Sequence, residues 1–243
     1  MKEIAEEIVL WLRHQLEISG TKGFVLGLSG GVDSSVVAAL LKQAAPEHCL
    51  GVIMPAGNIS SDRDDAVKCA EAFDFPYTEL SLGAYRDSLY DDVKNVLSEK
   101  GKSVADEKMT KGNLAARLRM SALYTIGNSL NYLVVGTDNS AELHTGYFTK
   151  YGDGGVDILP IAHLSKGEVF ALGAYLGVPE SILNKPPSAG FFADQTDEKE
   201  MGVSYETIDA YLRGETISEA DKAIIDRLHR ISEHKRQLPP RVK

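Results

Sequence analysis

A three-layer, doubly wound α/β domain with a mostly parallel sheet of about five strands is the fold this sequence predicts. Three observations carry that prediction. An apolar run at Phe24 to Leu26 passes through a turn of small residues into the helical-looking Val36 to Leu41. Further short apolar runs at 50–54, 77–81 and 132–136 alternate with helix-length stretches, the rhythm of βαβ units. The length of 243 residues suits one domain, residues 1–243, with its own core.

Each element has a local reason. Residues 2 to 18 set Ile4, Ile8, Trp11, Leu12 and Leu16 on one face with Glu and Lys opposite, the spacing of an amphipathic helix. Leu50 to Met54 reads as a buried strand ending at Pro55, and Ser61 with Asp64 offers a capping box for a helix to Phe73. Tyr77 to Ser81 is a weaker strand, because polar residues alternate with apolar ones. The charged, glycine-containing stretch 98–112 shows no sustained period and is expected to be a mobile surface loop. From Asn113 to Leu130 a helix aligns Leu114, Leu118, Ile126 and Leu130, leaving Arg117 to edge a cleft.

Tyr132 to Gly136 is a further strand, and the loop Thr137 to Glu142 follows it at the carboxyl end, where open α/β sheets bind ligands. Residues 146–160 interleave aromatic, basic and acidic residues with glycines, too irregular for a core element. Ser165 with Glu168 caps a helix that stops at Gly177. Prolines keep 185–200 out of regular structure, and a lid or arm, anchored through Phe191 and Phe192, is expected there. Two C-terminal helices are capped by Ser204 and by Ser218 with Asp221.

Composition excludes several classes. A net charge of −9 with no lysine- and arginine-rich block leaves no footprint for a nucleic-acid backbone. Cys49 and Cys69 stand alone, without metal-type pairing or a disulfide framework, and read as core fillers. His144 and His163 have no metal-ligand spacing. No run approaches the ~20 apolar residues that span a bilayer, and no apolar signal segment is visible, so a cytoplasmic protein is expected.

The chemistry centres on Gly27, Leu28, Ser29, Gly30, Gly31, Val32, Asp33 and Ser34. A turn with so little side chain lets backbone N–H groups approach an anion at a helix N-terminus. The Walker signature would need Gly-Lys-Ser/Thr here and the dinucleotide fingerprint a third spaced glycine; the chain has neither. It has Asp33 instead. A carboxylate inside a phosphate cradle repels its ligand unless a divalent cation sits between them, which points to a Mg2+-nucleotide.

The string Ser29-Gly-Gly-Val-Asp-Ser-Ser35 resembles the pyrophosphate loop of the ATP pyrophosphatase superfamily, with its adenine nucleotide α hydrolase-like fold. Further strings narrow the resemblance to the ammonia-dependent NAD synthetases: Asn113-Leu-Ala-Ala-Arg-Leu-Arg-Met120, Gly136-Thr-Asp-Asn-Ser-Ala-Glu142, Gly146 to Pro160, Leu164-Ser-Lys-Gly-Glu-Val169, Lys185-Pro-Pro-Ser-Ala-Gly190, Gln195-Thr-Asp-Glu198 and His234-Lys-Arg236. The resemblance implies a ligase that amidates deamido-NAD with ATP and ammonia through an acyl adenylate. It implies that Gly27 to Ser34 cradle the ATP phosphates, that Asp33 and Glu142 hold Mg2+, and that Thr137, Lys166 and Ser188 touch ATP. Arg117, Lys150, Asp157, His234 and Lys235 would hold deamido-NAD, and Asp33, Glu142 and Lys166 would carry the chemistry. A symmetric homodimer is implied too, with the stripes at 2–18 and 113–130 as candidate faces. A GMP synthetase core and a non-catalytic nucleotide sensor are the rival readings of the same loop.

Overall fold

The computed structural model describes residues 1–55, 60–187 and 196–242, without the side chains of 60 and 61. In chain order the elements are α1 (Lys2–Ser19), β1 (Gly23–Gly27), α2 (Val32–Ala44), β2 (Cys49–Ile53), α3 (Ser60–Ala72), β3 (Tyr77–Glu79), α4 (Gly83–Glu99), α5 (Glu107–Leu130), β4 (Tyr132–Val135), α6 (Ser140–Thr145), α7 (Lys166–Leu176), α8 (Glu180–Leu183), α9 (Asp197–Met201), α10 (Tyr205–Leu212) and α11 (Glu219–Arg236).

The strands form one parallel sheet in the order β3-β2-β1-β4, with Phe24 beside Cys49 and Leu133. Side chains on β1 and β4 alternate between two cores, as a sheet covered on both faces requires. Phe24, Leu26 and Val135 point into a core shared with α1, α2 and α7, whereas Val25 and Val134 point into one shared with α5. A third apolar cluster joins α6, α10 and α11 through Ala141, Ile208 and Ile225. Cys49 and Cys69 are buried, and burial pushes both thiols up to about 11, the behaviour of core fillers.

Among the described residues four strands pair rather than about five. The chain returns beside β4 at Ile158, but only as a single bridge to Val135. There the Asp157 carboxylate accepts the Val134 N–H at 2.8 Å, taking a hydrogen bond that a strand backbone would otherwise make. Pro160 follows at once and has no N–H to extend a ladder.

The expected loop at 98–112 is helical at both ends, and only 100–106 is irregular. Helix α4 runs to Glu99, and α5 opens at Glu107, where the Asp106 carboxylate accepts the Met109 N–H at 2.9 Å. The charges of this stretch are exposed faces of two helices, so they showed no apolar period to read. Helix α1 buries Ala5, Ile8, Val9 and Leu12, and Trp11 is turned out to 38 % exposure. The caps are those expected: Ser165 and Glu168 close a capping box, Gly177 adopts the left-handed conformation, and Ser204 and Ser218 accept first-turn N–H groups. The Ser61 side chain of the expected capping box lies outside the described residues, as do Ser188, Phe191, Phe192 and much of the expected lid at 185–200. Among the described residues no helix is long and apolar enough to cross a membrane.

Candidate active site

The carboxyl ends of β1, β2 and β4 open into a cavity of about 380 Å3. Its floor is Gly27 to Asp33, and its walls include Thr137, Asp138, Glu142, Lys166 and Lys185. The loop after β1 is held by its own hydroxyls. Ser34 Oγ lies 2.9 Å from Ser29 Oγ and donates to the Gly31 carbonyl at 3.0 Å, while Ser29 Oγ accepts the Gly31 N–H at 3.2 Å. Gly30 has φ +82°, and a Cβ there would collide with the Asp62 carbonyl oxygen of α3, so only glycine lets the loop pack this closely. Gly31 caps α2, whose first-turn N–H groups and dipole face the cavity floor.

The Lys166 side chain, 3 % exposed, binds both acids expected at the site. Its Nζ lies 2.7 Å from Asp33 Oδ2 and 3.1 Å from Glu142 Oε1. Burial works against this ammonium, but the two carboxylates outweigh it and hold its pKa above the ordinary lysine value. Glu142 is pushed up to about 7 by burial, against the pull of Lys166 and with the push of Asp33. Two residues that the sequence did not single out complete the group. Asn139 donates to Asp33 Oδ1 at 2.9 Å while its own Oδ1 accepts the Glu142 N–H at 3.1 Å. It caps α6, so Glu142 stands on a short helix rather than on the expected loop. Tyr205 hangs its hydroxyl between Glu142 Oε1 at 3.2 Å and Asp197 Oδ2 at 2.9 Å, with Lys166 Nζ 4.6 Å from its ring centre. The Asn-x-x-Glu spacing was a signal for Asn139; nothing local marked Tyr205.

Asp138 is 5 % exposed, and its Oδ2 has no hydrogen-bond partner among the described residues. Burial, then Asp153, Glu142 and Asp33, raise its pKa well above the carboxylate range. Among the described residues no cluster of three His, Cys, Asp or Glu could hold a metal by itself. Asp33 and Glu142 nevertheless converge on one cation, and two carboxylates that meet substrate phosphates suit Mg2+.

The residues expected to hold a second substrate lie outside the cavity wall. Arg117 Nε donates to the Lys150 carbonyl at 3.3 Å, and Lys150 Nζ donates to the His234 carbonyl, so these three join α5, the 146–155 loop and the end of α11. Lys235 Nζ donates to Gly146 O at 2.8 Å and Phe148 O at 2.6 Å, and burial holds its pKa below the usual lysine value. Asp157 is occupied by Val134 N–H and by the Tyr124 hydroxyl, the latter at 2.9 Å. Arg119, two residues past Arg117, is the arginine of that helix that lines the cavity.

The family model described as NAD synthase matches residues 4–239. The NH(3)-dependent NAD(+) synthetase of Alkaliphilus metalliredigens is 54% identical over 97% of this chain and 96% of its own. Among solved structures, the NMN synthetase from Francisella tularensis superposes with a TM-score of 0.92 at 38% identity, covering 99% of this chain and 98% of its own. The NH3-dependent NAD synthetase from Campylobacter jejuni, in complex with nitrate, superposes with a TM-score of 0.81 at 29% identity, covering 100% of this chain and 98% of its own.

Proposed function

Because the chain belongs to the NAD synthase family of ligases, we propose that it amidates deamido-NAD to NAD with ATP and ammonia. The observation that carries this reading is the meeting of the Asp33 loop with Lys166 and Glu142 at one end of the cavity. The N–H groups at the start of α2 receive the ATP phosphates. The deamido-NAD carboxylate attacks the α-phosphorus in line, the bond to the bridging oxygen breaks, and pyrophosphate leaves with that electron pair. Lys166 stabilises charge growing on the leaving oxygens. Ammonia then attacks the acyl carbon of the adenylate, AMP departs with the electron pair of the broken C–O bond, and the nitrogen loses a proton to solvent to leave the amide. Asp33 and Glu142 are the residues that would hold Mg2+, which when bound neutralises phosphate charge. Thr137 and Ser188 are proposed as further ATP contacts. Arg117, Lys150, Asp157, His234 and Lys235 form the proposed rim for deamido-NAD.

The likeness to the Francisella enzyme favours one second reading, in which nicotinate mononucleotide is the acceptor. The test is release of AMP and pyrophosphate with each acceptor, with ammonia or glutamine as donor. Equal release with no acceptor, or none with either, would sink the proposal; turnover of xanthylate would favour the GMP synthetase reading.

A homodimer remains part of this proposal, but with a different face. Helix α1 spends its stripe on α2, whereas α4 exposes Tyr85, Leu89, Val93 and Val96 at helical spacing, 44 to 65% exposed.

A further inference from the structure

Besides Lys166, which Asp33 and Glu142 hold, four cations line the cavity: Arg63, Arg86, Arg119 and Lys185. Three of them are neutralised by neighbours. Arg63 meets Glu79 at 2.6 Å, Arg86 meets Asp87 at 2.7 Å, and Lys185 meets Asp62 at 2.7 Å. Arg119 differs. Its Nε donates to the Met54 carbonyl at 3.1 Å, and no carboxylate among the described residues forms an ion pair with it. Burial holds its pKa down, against the pull of Asp153, with the like charge of Arg86 lowering it further and Asp62 raising it. A partly buried guanidinium without an ion pair is costly, and the protein retains it on the cavity wall.

Its position says what it faces. Leu123, one turn further along α5, and Met54 both come within 3.5 Å of where a Cβ on Gly27 would sit. Gly27 is the first residue of the phosphate loop, and Arg119, hydrogen-bonded to Met54, lines the same cavity as that loop. The planar fork of an arginine matches a phosphoryl group with two parallel N–H···O bonds.

We propose that Arg119 binds a phosphoryl group of ATP, supplying from α5 the counter-charge that the loop's backbone does not. The inference rests on the ATP-dependent reading above and adds a binding residue to it. The dinucleotide also carries phosphates, so the test separates the two nucleotides.

Calorimetry of the intact protein with Mg2+-ATP and, separately, with deamido-NAD would compare wild type, Arg119→Met and Arg119→Lys. The expected result is a roughly 10- to 100-fold loss of Mg2+-ATP affinity in Arg119→Met, a smaller loss in Arg119→Lys, and deamido-NAD affinity unchanged within about twofold. The ligand-free melting temperature of Arg119→Met should not fall, because an unpaired charge is being removed; a structural arginine would give a fall. Unchanged Mg2+-ATP affinity in both variants overturns the inference, as does an equal loss for both nucleotides or a loss confined to deamido-NAD. If Arg119→Met does not fold, Arg119→Lys decides by the same criteria. Wild type that binds Mg2+-ATP and turns over while the variants match it defeats this inference alone; wild type that neither binds nor turns over defeats the function as well.

Discussion

Replacing Lys166 with methionine keeps the length and apolar stem of the side chain and removes only its charge. The ammonium is 3 % exposed and lies 2.7 Å from Asp33 and 3.1 Å from Glu142, so its loss leaves two carboxylates facing each other in a closed corner. Removing one partner of a buried ion pair costs about 3 to 5 kcal/mol. For a chain of this size that corresponds to a fall in melting temperature of roughly 6 to 20 °C. The loss depends on pH with a definite sign. Burial pushes Glu142 up to about 7 in the folded protein from an ordinary 4.5, so its contribution is fully present below 4.5 and is lost as pH rises through about 7. Without Lys166 the Glu142 pKa rises further, and the variant suffers more at pH 8 than at pH 5, where Glu142 holds a proton in both proteins. Thermal unfolding of both proteins at these two pH values, without nucleotide or metal, is the assay. Equal melting temperatures at pH 8, or a larger loss at pH 5, would refute the reasoning. Turnover should also fall at least 100-fold, about 3 kcal/mol of lost electrostatic stabilisation.

Asp33→Asn and Glu142→Gln are expected to abolish turnover while circular dichroism stays native; near-normal rates at low Mg2+ would remove the metal role from that residue. Gly30→Ala should destabilise the protein by about 2 kcal/mol or more, since its φ of +82° and the Asp62 carbonyl both resist a Cβ, and urea unfolding would measure it. Leu89→Lys with Val93→Lys on the exposed face of α4 should convert a dimer to a monomer by light scattering, whereas paired lysines at the buried α1 positions would unfold the chain. A species that stays dimeric with both lysines would move the interface elsewhere.

Much of this molecule was legible because it is local. A turn of Ser29, Gly30 and Gly31 can cradle an anion whatever surrounds it, and Ser165 with Glu168, Ser204 and Ser218 close their helices through contacts three residues apart. Parallel strands buried on both faces announce themselves as short apolar runs. Reading failed where polarity stood in for exposure: 98–112 carried charges without an apolar period, and the sequence could not say that two helices meet there. Ile158 lay next to a strand-like pattern, but Asp157 claims the hydrogen bond that a fifth strand would use.

The site itself was decided by tertiary structure. Family motifs named Asp33, Glu142 and Lys166, yet nothing along the chain says that Lys166 reaches back across 133 residues to Asp33 and 24 to Glu142, or that Tyr205 closes the group from α10. Those separations collapse because parallel strands put all their carboxyl ends on one edge of the sheet. The same packing leaves Arg119 the cavity arginine without a carboxylate ion pair among the described residues, while Arg117, two residues earlier on the helix, donates to the Lys150 carbonyl. A sequence specifies which charges exist; only burial and distance determine which of them are already satisfied and which still face a ligand.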